Sequence, residues 1–227
     1  MDARLRAAVD ASLHWYDDVF ALHGIPTRSQ DGLWCALAPP PPWHSTAKTL
    51  EPGIDAQRVV RAVERFAECS VADSFGDLGL DEHGFELLFE AAWLHRPPAS
   101  GSAPTGPLPE GWSLVRTESA LAEWNAAHDY TGVLLPGVLS HPRFHVLARH
   151  RDGVLTGGAV THRGSPVVDL SNLWGVEDDP DLYDEVLAAV SVLHPGLAVT
   201  GYATGEERDA LLARGFAALG PQRVWLR

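Results

Sequence analysis

Histidine is the residue type whose number and spacing first suggest chemistry here, since it can ligate metals or transfer protons near neutral pH. The chain has 11 histidines, and four fall close together in sequence: His141, His145, His150 and His162. Pro142 interrupts any helix that would align the first two, and four residues along a strand separate two side chains by about 13 Å. Neither CxxC nor HExxH, two spacings typical of zinc sites, occurs. We therefore expect no metal site.

The two cysteines, Cys35 and Cys69, are the candidate nucleophiles. A cysteine attacks as its thiolate, which neighbouring positive charge favours. Glu64 and Glu68 precede Cys69, and Cys35 lies in an apolar segment, so neither has a basic setting. No Gly-x-Ser-x-Gly elbow occurs either. The sequence does not indicate nucleophilic catalysis, and two reduced thiols in a cytoplasmic protein are expected, because the N-terminus has no apolar signal core.

A proline-rich segment divides the elements that must position any reactive side chains. Residues 97–110 read PPASGSAPTGPLPE, a composition that excludes a helix interior and a central strand. We expect a linker there, with one half of the protein in residues 1–96 and the other in residues 111–227.

Apolar spacing predicts helices and strands in both halves. In the first half, we predict helices over 5–20 and 55–69 (with Asp55 as the N-cap) and strands over 33–37, 71–75 and 85–94. In the second half, we predict strands over 112–116, 144–150, 154–162, 167–174, 197–202 and 224–226, and helices over 118–127, 181–193 and 206–214. A hairpin followed by strand, helix, strand, helix and strand favours an α/β (mixed α+β) fold, with helices on a mixed sheet.

The net charge of −13 arises from 30 acidic and 17 basic residues, and Lys48 is the only lysine. A chain this acidic repels phosphate backbones and anionic lipids, so we expect neither nucleic acid nor a membrane as a partner. A small amine or another cationic ligand suits the negative charge. The sequence does not decide between a monomer and a homodimer.

The two halves end alike. In the first half HGF at 83–85 leads to WL at 93–94, and in the second RGF at 214–216 leads to WL at 225–226. In each case the glycine can cap a turn and the phenylalanine can anchor the next strand. The likeness indicates either an internal duplication of two halves or a chance match of short motifs.

The second half resembles the GCN5-related N-acetyltransferases (GNAT). The resemblance lies in GYATG at 201–205, RGFAALGP at 214–221 and RVWL at 223–226, and it covers residues 111–227 in a form similar to degenerate actinobacterial members. Residues 1–96 are more weakly similar to the N-terminal arm of chains with two GNAT halves.

The resemblance implies a twisted mixed sheet flanked by helices, in which the parallel strands 167–174 and 197–202 splay apart. Acetyl-CoA would lie in the V-shaped gap, and an acetyl group would pass to a small amine. The cofactor would be held mainly by strand backbone, at Leu173, Trp174, Gly175 and Val176.

The pyrophosphate loop of the family departs from its pattern here. The matching residues 175–181 hold one glycine and four carboxylates, and residues 164–207 contain no lysine or arginine. Like charges held close together oppose the binding of a polyanion. The alternative interpretation is that Asp178 or Asp179 caps the next helix.

The family's acid and base do not match a single residue each in this chain. The tyrosine that commonly acts as general acid, four residues before Gly215, is replaced by Leu211. Tyr202 is a substitute acid, although a strand tyrosine also serves as a packing residue. His128 and Asp129 are candidates for the base, although a polar helix end explains them as well. Two functions stay open, an acetyltransferase and a non-catalytic binding or assembly module with the same fold.

Overall fold

The computed structural model describes residues 1–98, 106–164, 166–176, 179 and 181–227. Within this part of the chain, five α-helices flank one sheet of eleven strands. The helices are α1 Ala3–Leu22, α2 Ala56–Val63, α3 Glu118–Ala127, α4 Leu182–Leu193 and α5 Gly205–Ala213. The strands are β1 Thr27–Gln30, β2 Leu33–Ala36, β3 Ala47–Thr49, β4 Ser70–Asp73, β5 Glu86–Arg96, β6 Trp112–Leu114, β7 Phe144–Arg151, β8 Val154–Arg163, β9 Val167–Gly175, β10 Ala198–Ala203 and β11 Ala217–Leu226.

Capping side chains begin three of the helices. The carboxylate of Asp2 accepts a hydrogen bond from the Arg4 N–H at the start of α1. Asp55 does the same for the Gln57 N–H at the start of α2, as the sequence predicts. The hydroxyl of Thr117 caps α3. Each cap satisfies a backbone donor that has no partner inside its own helix.

Two predicted elements have the wrong length. Helix α2 ends at Val63 and does not reach Cys69, because Cys69 joins the sheet through two backbone hydrogen bonds to Arg227, of 2.8 and 2.9 Å. Strand β11 begins at Ala217, well before the predicted residue 224, because a bulge before Gly220 carries the strand through its glycine–proline pair. Of the predicted linker 97–110, residues 99–105 lie outside the described residues.

The strand order is β1-β2-β3-β4-β11-β5-β10-β9-β8-β7-β6. On each side of the central β11–β5 pair, the next four pairings have the same orientations: antiparallel, parallel, antiparallel and antiparallel. On one side they run from β11 through β4, β3 and β2 to β1. On the other side they run from β5 through β10, β9 and β8 to β7. Strand β5 is the last strand of the first half but pairs with β10 of the second half. Strand β11 is the last strand of the second half but pairs with β4 of the first half. Each half therefore places its last strand beside a strand of the other half.

The two faces of the sheet carry different helices. Trp93 packs with Ala8 and Val9 of α1, whereas the adjacent Leu94 packs with residues of α4 and α5, since neighbouring residues of a strand point to opposite faces. Helix α1 also contacts β9 and β10. A helix of the first half thus helps to form the surroundings of the gap in the second. Among the described residues, no helix is long and apolar enough to cross a membrane.

Candidate functional site

The parallel strands β9 and β10 separate after a short pairing, as the sequence predicts. In the described residues their pairing ends at Asp169 and Thr200. The next residue of β10, Gly201, lies so close to β9 that a Cβ atom there would be 2.5 Å from the Leu170 carbonyl oxygen. A glycine is needed where the strands begin to diverge, because any side chain would meet backbone.

A bulge bends β9 at the gap. Trp174 lies opposite Gly158 in β8 and Ser171 lies opposite Val160, so the intervening Asn172 and Leu173 have no partner in that register. Asn172 has a φ of +51°, a left-handed conformation that asparagine tolerates better than most residues. The bulge leaves this stretch of backbone outside the regular ladder, at the edge of the gap.

A cavity of about 290 Å³ opens on the α1 side of the gap, and we call it the aromatic cavity. Its wall includes two carboxylates, Asp169 and Glu207. Five tyrosine and tryptophan side chains also line it: Trp15, Tyr16, Trp43, Tyr130 and Tyr202. Aromatic faces and carboxylates both attract cations, so the wall suits a positively charged group.

Trp43 stands at this cavity in a strained conformation. Its φ is +64°, and its side chain is 73% exposed. A positive φ is costly for a bulky residue, and such strained conformations are found mainly at functional sites. The following residue, His44, is held from both sides: its Nε2 accepts from the Trp15 indole N–H at 3.0 Å, and its Nδ1 donates to the Pro42 carbonyl at 2.9 Å. Burial lowers the pKa of His44 to about 4, so this ring is neutral.

The two carboxylates of the cavity have pKa values close to neutral pH. Burial raises the pKa of Asp169 to about 7, an effect that the positive charge of Lys48 opposes. Burial also raises the pKa of Glu207 to about 7. Removing water from around a carboxylate disfavours its ionised form, and a base is most effective when its pKa is close to the working pH.

Lys48, the only lysine, lies fully buried on β3. Its Nζ has no hydrogen-bond partner among the described residues and lies 5.4 Å from the ring centre of Tyr16 and 5.1 Å from that of Trp93. Burial lowers the pKa of Lys48 to about 7, whereas the negative charges of Asp169 and Asp73 raise it. The first half thus contributes a titratable group that is coupled to the carboxylate of the cavity.

A second cavity, of about 710 Å³, opens beside α4 and α5, and we call it the helix-side cleft. The four residues predicted to hold the cofactor all line it: Leu173, Trp174, Gly175 and Val176. Leu173 and Glu207 line the aromatic cavity as well. The two cavities are therefore adjacent, beside the gap between β9 and β10.

The acidic segment before α4 is less negative than its sequence indicates. Arg149 of β7 is 2% exposed and ion-paired with Asp179 and Glu185. Arg151 also pairs with Glu185, and these contacts lower the pKa of Asp179. Asp179 accepts from the Asp181 N–H at 3.1 Å, but the N-cap of α4 is Asp181, which forms no side-chain cap hydrogen bond, so Asp179 does not cap the helix as predicted. Glu177, Asp178 and Pro180 lie outside the described residues. Arginines distant in sequence therefore offset part of the negative charge that the sequence places in this segment.

The structure places the predicted acid and base residues differently. His128 lines the aromatic cavity, stacks on Trp174 at 5.7 Å, and has its pKa lowered by burial. Asp129 is exposed and does not line either cavity. Tyr202 lines the aromatic cavity with 44% of its surface exposed, and the surrounding protein raises its pKa. Leu211, at the tyrosine position of the family, is buried in the core.

The clustered histidines have structural partners. The Nε2 of the buried His162 lies 2.7 Å from the Asp18 carboxylate, and Arg143 reaches the same carboxylate at 3.1 Å. His145 packs against His194, at 5.2 Å between ring centres. Within the described ranges, no three His, Cys, Asp or Glu side chains are grouped as metal ligands.

Sequence reasoning missed Asp169 and Glu207 as residues of the aromatic cavity, and Lys48 as a buried cation whose charge acts on Asp169. A signal existed for Asp169, a carboxylate inside the apolar run VVDL at 167–170. Lys48 stands alone as the only lysine of the chain. Their proximity depends on the first half lying beside β9, and no local pattern indicates that packing.

In sequence, no family model and no curated protein matches the chain. Solved structures do share its architecture. A GCN5-related N-acetyltransferase from Kribbella flavida matches with a TM-score of 0.61 at 15% identity, over 96% of this chain and 95% of that one. A GNAT-family protein from Novosphingobium aromaticivorans DSM 12444 matches with a TM-score of 0.62 at 15% identity, over 99% and 98%.

A conserved protein of unknown function from Staphylococcus epidermidis ATCC 12228 matches with a TM-score of 0.65 at 12% identity, over 89% of this chain and 94% of that one. Likeness at such low identity establishes architecture and leaves activity open. The mixed α/β sheet with flanking helices, expected from the sequence, is confirmed, and the chain has the GNAT fold.

Proposed function

We propose that this protein is an N-acetyltransferase that transfers the acetyl group of acetyl-CoA to a small amine. The observation that carries the proposal is that two cavities lie next to each other beside the gap between β9 and β10 and share Leu173 and Glu207 as wall residues. A transferase needs its donor and its acceptor to approach one point from different directions. The helix-side cleft suits the donor, and the aromatic cavity suits the amine.

Features of this chain support a CoA thioester in the helix-side cleft. Leu173 to Val176 form its β9 wall, and the bulge leaves Asn172 and Leu173 without partners in β8. The Arg149 ion pair reduces the negative charge at the mouth. Acetyl-CoA supplies the activated acetyl group.

The residues of the aromatic cavity suit the acceptor. An ammonium group is attracted by the aromatic faces and by Asp169 and Glu207. Asp169 takes one proton from the ammonium, which frees the nitrogen lone pair to form the C–N bond as the C–S bond breaks. The thiolate that leaves takes a proton from the Tyr202 hydroxyl, the candidate donor, whose raised pKa keeps it protonated, and the new amide nitrogen gives its second proton to the Tyr202 oxygen.

A binding or assembly module is the second candidate. The observation that favours it is Leu211, an apolar core residue at the position of the family's acid. Both candidates keep the aromatic cavity as a site for cations, but only the transferase requires acetyl-CoA.

Calorimetric titration of acetyl-CoA into the full chain separates the two candidates. The transferase requires saturable binding below about 1 mM, within the usual range of enzyme KM values. Absence of heat and of any thermal shift at this concentration would refute the acetyltransferase and leave the binding module.

Asp169→Asn tests the base. With a panel of primary amines and detection of the released CoA thiol, we expect kcat to fall about 100-fold or more. In the wild-type protein, kcat should be about tenfold higher at pH 8 than at pH 6, because a base with a pKa of about 7 is mostly protonated at the lower pH.

Glu123→Gln, which removes an exposed carboxylate on α3, is the matched control and should leave kcat unchanged. Loss of activity in Asp129→Asn with retention in Asp169→Asn would reject Asp169 as the base.

A further inference from the structure

A third cavity, of about 410 Å³, lies in the first half between the β1–β2 hairpin and α2. We call it the arginine pocket after four of the residues that line it: Arg28, Arg58, Arg61 and Arg65. The whole chain has 17 basic residues. About a quarter of them therefore surround one small volume, in a protein whose net charge is −13.

Regular spacing builds the pocket. Arg58, Arg61 and Arg65 are three and four residues apart, which places them along one side of α2 and its end. In the hairpin, Arg28 lies directly opposite Cys35, so the two side chains share a face of the sheet. Leu33 and Leu37, which alternate with Cys35 along this segment, line the pocket too. The result is an apolar floor under guanidinium groups from two walls.

Two of the arginines are fixed by backbone groups. The Nη2 of Arg58 donates to the Gln30 carbonyl at 2.7 Å and lies 3.3 Å from the Asp31 carboxylate. The Nη2 of Arg65 donates to the Ala36 carbonyl at 2.8 Å. These bonds hold two guanidinium groups at opposite ends of β2 and leave their remaining N–H groups available.

The charge of the pocket is incompletely balanced by protein carboxylates. Arg61 lies 3.9 Å from Asp55, and both side chains are more than 60% exposed. Arg28 and Arg65 have no carboxylate within ion-pair distance in the described ranges. Glu64 also lines the pocket, but it forms no ion pair with these arginines in the same ranges. Exposed ion pairs contribute little, so the positive charge remains available to a ligand.

The arginine pocket corrects the expectation for Cys35, which the sequence places in a purely apolar setting. Burial raises the pKa of its thiol, but the positive charges of Arg28, Arg65 and Arg58 oppose that effect. The thiol is half-buried in the wall of the pocket. It therefore offers a chemical reporter for any molecule that fills this space.

We propose that the arginine pocket binds a small molecule carrying two or more anionic oxygens, of phosphate or carboxylate groups, together with an apolar part. The planar guanidinium group donates two parallel hydrogen bonds to such oxygens. The leucines of the floor suit the apolar part. The net charge of the chain disfavours anions in general, so the four arginines supply the local attraction that an anion needs here. The pocket lies apart from the gap, so this proposal stands independently of acetyl transfer.

The test is a calorimetric titration of the full chain with inorganic pyrophosphate and, separately, with citrate. One saturable site for either anion is expected, and the tighter of the two identifies the preferred oxyanion. The double variant Arg28→Gln/Arg61→Gln should weaken binding about tenfold or more, since each lost arginine removes charge-assisted hydrogen bonds. Neither of these arginines donates to a backbone carbonyl in the described residues, so the fold should persist.

The double variant Arg4→Gln/Arg116→Gln changes the net charge equally but lies outside the pocket, and it should bind like the wild type. Equal weakening by both double variants would overturn the proposal, because it would indicate a general charge effect. Absence of saturable binding by either anion would overturn it as well.

Alkylation of Cys35 gives a second measurement on the wild-type protein. Bound anion should slow its reaction with iodoacetamide, followed by mass spectrometry of the Cys35 peptide. An unchanged rate at a saturating anion concentration would place the anion elsewhere and overturn the proposal.

Discussion

Lys48 should make the stability of this protein depend on alkaline pH in an unusual direction. Its ammonium group is fully buried between the rings of Tyr16 and Trp93 without a hydrogen-bond partner in the described residues. Burial lowers its pKa to about 7 in the folded protein, compared with about 10.4 in an unfolded chain. Between these values the unfolded chain binds a proton that the folded protein has released. The free energy of unfolding therefore rises with pH in this window, by up to about 1.4 kcal/mol per pH unit.

Lys48→Met removes the titration while keeping a side chain of similar length. From pH 8 to pH 10, the wild type should gain about 2–3 kcal/mol relative to this variant, measured by urea unfolding at both values. Tyrosines and cysteines titrate in the same pH range, but their contribution to the free energy of unfolding is the same in both proteins and cancels in the comparison. Parallel pH profiles of the two proteins would refute the reasoning.

The same group can be observed directly, because a protein labelled with 13C-lysine has one lysine spin system. Its Cε resonance should titrate near pH 7. A midpoint above about 10, the value of an exposed lysine, would contradict the buried position of the ammonium group.

Three further substitutions probe the site. Gly201→Ala should lower the free energy of unfolding by about 1–3 kcal/mol, because the new methyl group meets the Leu170 carbonyl, whereas Gly106→Ala, with no atom within 4 Å of its added Cβ, should be nearly neutral. Arg149→Met should destabilise by about 2 kcal/mol or more, since two carboxylates lose a buried cation; urea unfolding equal to wild type would show that the pairs contribute nothing. Asn172→Val should cost about 1–2 kcal/mol at its positive φ, and Asn172→Gly should not; equal losses would exclude backbone strain as the cause.

Periodicity in the sequence was enough to predict most elements of the second half. Strands β7 to β10 and helices α3 to α5 lie within a few residues of their predicted bounds, because their apolar spacing is regular. The pattern missed β1, whose residues are mostly exposed, and β3, which has only three residues. Such strands form because a neighbouring strand pairs with them, and the strand propensity of their own residues does not indicate that neighbour.

The candidate site was predictable in position but not in composition. The GNAT resemblance located the gap, and with it His128 and Tyr202 at the aromatic cavity. The effect of Lys48 on Asp169 could not be predicted, since Lys48 comes from a different half of the chain. Arg149 was missed at the helix-side cleft for the same reason, because it reaches Asp179 from 30 residues away in sequence. Charge counted along a segment is a poor guide where the fold brings in compensating groups.

The central position of β11 has a consequence for biosynthesis. This strand, formed by Ala217–Leu226, lies between β4 and β5, two strands that leave the ribosome long before it. Until residue 226 has been made, β4 and β5 present unpaired edges to the cell, and each is a template for association with another chain. The first half can therefore collapse during translation but cannot complete its sheet. Its folding should wait until β11 has been made, and the unpaired edges make the nascent chain a client for chaperones.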